Sequence, residues 1–201
     1  MIKILICGDS FAVNCSTFSP SGCGWSNMLA NDNYDVTNLA QSGVSEYKIL
    51  KQLESTDPEK FDAVIVCHTS PNRVYIRQHP VYTTNKLHKH ADLIYSDIDY
   101  HLGQDKNNSV LAAAKDYFEK IYDQKYHEDI YCLMQNQVEN ILKSCVRLHL
   151  TPLYDKNNKQ LANCVNLHRL FKILPGATNH YSPDDNKKIY NLIKQWIDTN
   201  A

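Results

Sequence analysis

The first eleven residues constrain the chain more than any other stretch: an apolar run from Ile2 to Cys7, broken only by Lys3, stops abruptly at Gly8-Asp9-Ser10. Ile2, Ile4, Leu5, Ile6 and Cys7 are too few for a helix and rich in β-branching, the signature of a strand buried on both faces of a parallel sheet. Open α/β sheets bind ligands outside the carboxyl ends of their strands, which is where Gly8 to Ser10 would fall. Gly8 permits a sharp turn, and Ser10 becomes a candidate nucleophile if a base can reach it.

The same rhythm recurs twice. Tyr34 to Leu39 reads as a second strand, followed by Asn38-Leu39-Ala40-Gln41-Ser42-Gly43 and an amphipathic helix from about Ser45 to Leu53. Strand, glycine turn and helix make a βα unit whose turn N–H groups point toward the same crevice. Asp62 to Cys67, DAVIVC, is the clearest buried strand, and His68-Thr69-Ser70-Pro71-Asn72-Arg73 follows it. Three strands ending in polar turns imply one crevice at one edge of a sheet.

The chain of 201 residues suits a single domain spanning residues 1–201. Its 21 basic residues nearly balance 22 acidic ones, so nothing draws it as a whole to nucleic acid or an anionic membrane. No apolar run approaches the length that crosses a bilayer, and Met1 leads directly into the first strand, so a cytoplasmic location is expected. The seven cysteines are scattered without a CxxC pair, which reads as reduced thiols in a reducing compartment.

Residues 74–108 break the pattern, with His79, His88, His90 and His101 set among tyrosines and no clear period. A long connection of this kind between core elements is usually functional, here a lid or substrate-binding insertion. His88 and His90, spaced for one face of a strand, lie beside Lys86 and Lys89 without converging carboxylates or cysteines, which favours a solvated basic patch over a metal site. No metal and no cofactor is expected.

Two helices are expected between Ser109 and Arg147, broken near Gln124 to Glu128, with Val110, Leu111, Ala114, Phe118 and Ile121 on one stripe and Ile130, Leu133, Val138, Ile141, Leu142 and Cys145 on the other. Arg147 to Tyr154 follows as a strand that Pro152 pushes toward an edge or an end. Ser182 is a natural N-cap for a last helix with Pro183 at its first position, and Asp185 can close a capping box. His180 sits in the turn just before that helix.

GDSF at the amino terminus, NLAQSG about thirty residues on, a buried strand ending in polar residues, and NHYSPDDN before the final helix together resemble the SGNH/GDSL hydrolase superfamily. The resemblance covers both ends and the first third of the chain. It implies a three-layer α/β/α sandwich with a flavodoxin-like parallel sheet, and a serine esterase acting on an acyl or acetyl ester, with a small-molecule or glycan ester as substrate. Carried across, Ser10 is the nucleophile, the backbone N–H groups of Ser10 and Gly43 are oxyanion donors, and His180 is the base.

Two positions depart from the family's pattern. Its third block reads GxND where this chain has HTSPNR; register puts Ser70 at the asparagine, while Asn72 is the nearest amide and the expected donor. An aspartate three residues before the histidine is replaced by Ala177, and Asp184 and Asp185 are taken up by the first helical turn. His180 is therefore expected to be oriented by a backbone carbonyl on Nδ1. An acyltransferase using the same pair, or a binding module that has lost catalysis, remain as alternatives.

Overall fold

The computed structural model describes residues 1–14, 24–153, 161–174 and 177–201. The loop expected from Ala12 to Gly24, with Cys15 and Cys23, lies largely outside the described residues, as does Tyr154.

Five strands form one parallel sheet: β1 (Ile2–Gly8), β2 (Tyr34–Asn38), β3 (Ala63–Cys67), β4 (Arg147–Leu150) and β5 (Cys164–Val165), in the order β2-β1-β3-β4-β5. This is the flavodoxin-like order, in which the chain reverses direction between β1 and β3 and leaves a crevice beyond their carboxyl ends. Both apolar runs are central strands, and the strand at Tyr34 pairs with β1 from Ile2 to Ile6.

Strand alternation builds a core on each face. Ile4, Ile6, Ile65, Leu148 and Leu150 pack with Trp25 and Leu29 of α1 (Trp25–Asn31) and with Ile189, Ile193 and Ile197 of α7 (Pro183–Asn200). Leu5, Cys7, Val64 and Val66 face the other way, onto Ile49, Leu50 and Leu53 of α2 (Glu46–Glu54) and Val138 of α5 (Gln124–Ile141). The result is the expected three-layer sandwich.

The region 74–108 has structure of its own. It carries α3 (Tyr95–Gln104), a bridge between Val74 and Leu93, and with α4 (Ser109–Lys120) a small core of Leu93, Ile98 and Leu111. Buried Asp92 binds it to the body, accepting from the Ser45 and Ile76 N–H groups at 2.7 and 2.9 Å and pairing with Lys48 at 2.7 Å. His88 and His90 share no strand face; the segment around them is turns, with His88 turned inward and His90 exposed.

Other expectations shift in detail. The helix break falls at residues 121–123, where Asp123 caps α5 by accepting from the Tyr126 N–H. Val110, Ile121 and Leu133, expected in the stripes, are exposed. β4 ends at Leu150 before Pro152, and β5 takes the edge that Pro152 was expected to mark. The ambiguous stretch from Leu161 contributes β5 and α6 (Leu167–Leu170). Ser182 caps α7 by accepting from the Asp185 N–H at 3.1 Å, while the Asp185 carboxylate turns to Lys188 instead of closing a capping box.

Candidate active site

The end of β1 is fixed from both sides. Gln52 reaches from α2 to accept from the Gly8 N–H at 2.7 Å and donate to the Gly8 carbonyl at 3.1 Å. Gly8 is needed here for close approach more than for turning, since a Cβ would meet the Cys67 Cβ at 2.8 Å and its carbonyl oxygen at 2.9 Å. Asp9 then forms a turn, its Oδ1 accepting from the Phe11 N–H at 3.0 Å and its carbonyl from the Ala12 N–H at 3.0 Å. Trp25 Nε1 donates to the Phe11 carbonyl at 2.8 Å and Asn38 Nδ2 to that of Ala12 at 2.9 Å. Ser10 is thus presented on a turn whose flanking peptides are all held.

His180 arrives from the opposite end of the chain. Its Nε2 lies 2.8 Å from Ser10 Oγ, across 170 positions of sequence. Asn179 and His180 both have left-handed backbones, with φ of 49° and 63°. Each such residue costs about 1–2 kcal/mol, least for asparagine, whose side chain bonds locally. Gly24 makes room for buried Asn179, because a Cβ there would fall 2.2 Å from its Nδ2. The Phe11 ring lies against the imidazole, centroids 4.5 Å apart. Two strained residues held this firmly put the ring where the serine needs it.

Burial, with the charges of Arg73 and His88 behind it, holds His180 below the ordinary histidine pKa. The ring is therefore neutral at neutral pH and free to accept the Ser10 proton at Nε2. That requires the Nδ1–H tautomer, yet among the described residues none hydrogen-bonds Nδ1. The backbone carbonyl expected there is not found among them. Ala177 serves the turn through its backbone instead, accepting from the His180 N–H at 2.9 Å.

Gly43 is required by conformation and space together. Its φ is 75°, and a Cβ would lie 2.9 Å from the Ala91 Cβ. Its carbonyl is occupied, accepting from the Asp92 N–H at 2.9 Å and from Arg73 Nη1 at 3.1 Å. Among the described residues, nothing accepts from the N–H of Gly43 or of Ser10.

The third block is placed differently from expectation. Asn72 is exposed, its Oδ1 accepts from the Tyr122 hydroxyl at 3.3 Å, and it lines a separate cavity with Tyr95, Phe118 and Tyr122. Ser70 Oγ is turned to its own loop, accepting from the Asn72 N–H at 3.2 Å. Neither lines the cavity of Ser10; Arg73 does. The turn after β3 sends one side chain in three toward the crevice, and it is the guanidinium.

That cavity, of about 480 Å³, is walled by Ser10, Gly43, Arg73 and His180 on the body and by Tyr82, His88, Ser96, Asp97 and Tyr100 on the insertion. Ser42 Oγ lies 3.1 Å from His88 Nδ1. The Tyr82 hydroxyl donates to Asp97 at 3.0 Å and lies 2.7 Å from His101 Nε2; burial and Asp97 push its pKa up to about 12, so it remains a phenol. Among the described residues no group of three His, Cys, Asp or Glu side chains is arranged to hold a metal ion.

Arg73 is what sequence reasoning missed, its only signal being the run of polar residues at a strand end; the insertion was expected as a lid or substrate-binding region, and Tyr82, His88, Ser96, Asp97 and Tyr100 line the cavity from it.

No family model matches the sequence, and neither does any curated protein. Among solved structures, a protein described as lipolytic and of the G-D-S-L family from Desulfitobacterium hafniense is 13% identical, with 98% of this chain and 99% of that one covered and a TM-score of 0.39. An extracellular lipase from Streptomyces rimosus is also 13% identical, with 99% and 74% covered and a TM-score of 0.37. Both likenesses are distant.

Proposed function

We propose that the protein is a serine ester hydrolase that works through an acyl-serine. The observation that carries this reading is the 2.8 Å contact between Ser10 Oγ and His180 Nε2 at the mouth of a cavity. A neutral histidine takes the serine proton as Oγ attacks the carbonyl carbon, and the carbonyl oxygen becomes an oxyanion. The N–H groups of Ser10 and Gly43 are its donors. His180 then gives its proton to the leaving alcohol, and water repeats the cycle on the acyl-serine.

The wall supports a short acyl group on a polar alcohol. Apart from Ala91 and Ile94 its side chains are polar or aromatic with a polar tip, which suits the hydroxyls of a sugar better than a long acyl chain. The preferred substrate is thus an acetyl ester on a carbohydrate. The five described cysteines are all free thiols, which supports a reducing, cytoplasmic setting, and no described helix is long and apolar enough to cross a membrane.

The test is hydrolysis of p-nitrophenyl esters of increasing chain length, with Ser10→Ala as control and acetylated sugars as the second substrate set. Turnover of acetate and loss of it beyond butyrate support the reading. A protein as active without the Ser10 hydroxyl as with it defeats the reading. Added alcohol that captures the acyl group in preference to water would make the enzyme a transferase with the same chemistry.

A further inference from the structure

The cavity holds a cationic side chain that has no ion-pair partner among the described residues. The Arg73 side chain carries a guanidinium and makes one hydrogen bond among the described residues, from Nη1 to the Gly43 carbonyl at 3.1 Å. No described carboxylate forms an ion pair with it, and its buried Nε has no hydrogen-bond partner. Keeping a half-buried guanidinium unpaired is costly unless a negative charge joins it at some stage.

Its position says which charge that is. The bond to the Gly43 carbonyl anchors the guanidinium on a turn that lines the same cavity as Ser10, and Nη1 lies 3.8 Å from where a Gly43 Cβ would be. Its charge is also felt on both flanks of the nucleophile: it pulls the Asp9 carboxyl down against the larger upward push of burial, and it adds to the lowering of His180. The side chains that the family pattern would place here, Asn72 and Ser70, are turned elsewhere.

We propose that Arg73 is a catalytic residue that donates from its guanidinium to the oxyanion formed when Ser10 adds to the ester carbonyl. This deepens the esterase reading and rests on it. As Oγ bonds to carbon, the carbonyl electron pair moves onto oxygen and the serine proton to His180 Nε2. Arg73 gives up no proton; its N–H and the two backbone N–H groups hold the new charge until the carbonyl re-forms and the alcohol leaves. A charge met only in the transition state raises kcat and leaves ground-state binding alone.

The experiment uses an uncharged ester, p-nitrophenyl acetate, with Arg73→Met, Arg73→Gln and Arg73→Lys, each checked by thermal unfolding. Loss of one oxyanion donor lowers kcat by about 10²–10³-fold, here in the Met and Gln variants with KM within a few-fold of wild type. Phenylboronic acid, which forms an anionic tetrahedral adduct on serine, should lose affinity in step with kcat/KM across the series, a correlation that a merely structural role would not give. If the Met and Gln variants fail to fold, the lysine variant decides by that same parallel.

Folded Arg73→Met with kcat within threefold of wild type overturns the proposal. So does a defect confined to KM for esters that carry an acid group, which would make Arg73 an anchor for an anionic substrate. Activity lost in Ser10→Ala but kept in Arg73→Met strikes only this inference, whereas activity kept in Ser10→Ala strikes the esterase reading beneath it.

Discussion

Two histidine constellations sit at the same sheet, and they divide the parts of a triad between them. At the crevice, His180 has a serine at 2.8 Å and no described partner on Nδ1. Within the core, His68 Nδ1 lies 2.6 Å from Glu46 Oε1, and His68 Nε2 lies 2.9 Å from His149 Nδ1. His149 Nε2 in turn comes within 3.0 Å of Glu139, out of line for a hydrogen bond, and Glu139 pairs with Arg147. Among the described residues, one histidine contacts a serine and no carboxylate, and the other a carboxylate and no serine.

The difference is one of access. His68, His149 and Glu46 are sealed, and Glu46 also receives the Thr69 N–H at 3.4 Å while the Tyr131 hydroxyl donates to the Thr69 carbonyl at 3.0 Å. The buried line therefore pins the start of the turn that delivers Arg73. A histidine–carboxylate pair is evidence of catalysis only where a substrate can enter, and here the pair that looks more complete serves packing.

The largest effect that would break this division comes from the crevice. Ser10→Ala and His180→Ala should each lower kcat on the order of 10⁴-fold, and the double variant should be no worse than either single one, because nucleophile and base act as a unit. Thermal unfolding of all three should stay near wild type. A double variant worse than both singles by the product of their effects would mean that the two residues work separately.

Glu46→Ala should do the reverse. Removing Glu46 leaves the buried His68 Nδ1 without its hydrogen-bond partner, at a cost of about 1–3 kcal/mol in stability. Urea denaturation should show that loss, while kcat per folded molecule moves far less than with Ser10→Ala. Unchanged stability with activity abolished would move Glu46 from the packing side of the comparison to the catalytic side.

How much of this was legible in the sequence follows from the distances along the chain. β1 and β3 announce themselves because strands buried on both faces admit little but β-branched and apolar side chains, and the α7 cap because Ser182 and Pro183 act locally. Ser10 and His180 were singled out through motifs, and the structure brings them to 2.8 Å. No local pattern links His68 to Glu46 or His149, which are 22 and 81 positions away. Asn72 failed as the expected donor because the chemistry of an amide was visible and the direction of its turn was not. Val110 and Leu133 failed because the stripes were drawn from residue type alone, and apolar residues scattered singly on a surface are common.

Asp9 offers a smaller test of how the crevice differs from the core. Burial pushes its carboxyl up to about 6, against the pull of Arg73, and one oxygen has no hydrogen-bond partner. With the folded pKa above the unfolded one, the folded state binds the extra proton between about pH 4 and 6. The associated stability is present below that window and is lost as pH rises through it, by at most about 3 kcal/mol. Asp9→Asn keeps the acceptor for the Phe11 N–H and cannot ionise, so its stability relative to wild type should improve between pH 4.5 and 7.5. His149 and His180, both held below the ordinary histidine pKa, contribute oppositely in both proteins: their stability is present above about pH 6.5 and is lost on acidification. Denaturation curves for the two proteins that stay parallel across that range would show that Asp9 does not titrate there.

The smallest predicted effect would give the crevice histidine the acid that the core histidines already have. Ala177 lies three residues before His180, in the turn whose carbonyl accepts the His180 N–H, and its side chain is only half buried. Ala177→Asp brings a carboxylate toward Nδ1, where it would fix the tautomer that leaves Nε2 free for the serine and would stabilise the imidazolium as it forms. Native triads lose on the order of 10⁴-fold in kcat without their aspartate, but a carboxylate added to a turn not shaped for it should recover only about tenfold. The pH profile separates this from any general improvement. His180 now titrates below the ordinary value, so the acid limb of kcat/KM in the wild type should fall below about pH 6.5. A carboxylate against Nδ1 favours the charged ring and moves that limb upward, so the variant should gain above pH 7.5 and lose part of the gain near pH 6. A limb that does not move, with rates unchanged at both ends, would show that the new carboxylate never reaches the ring.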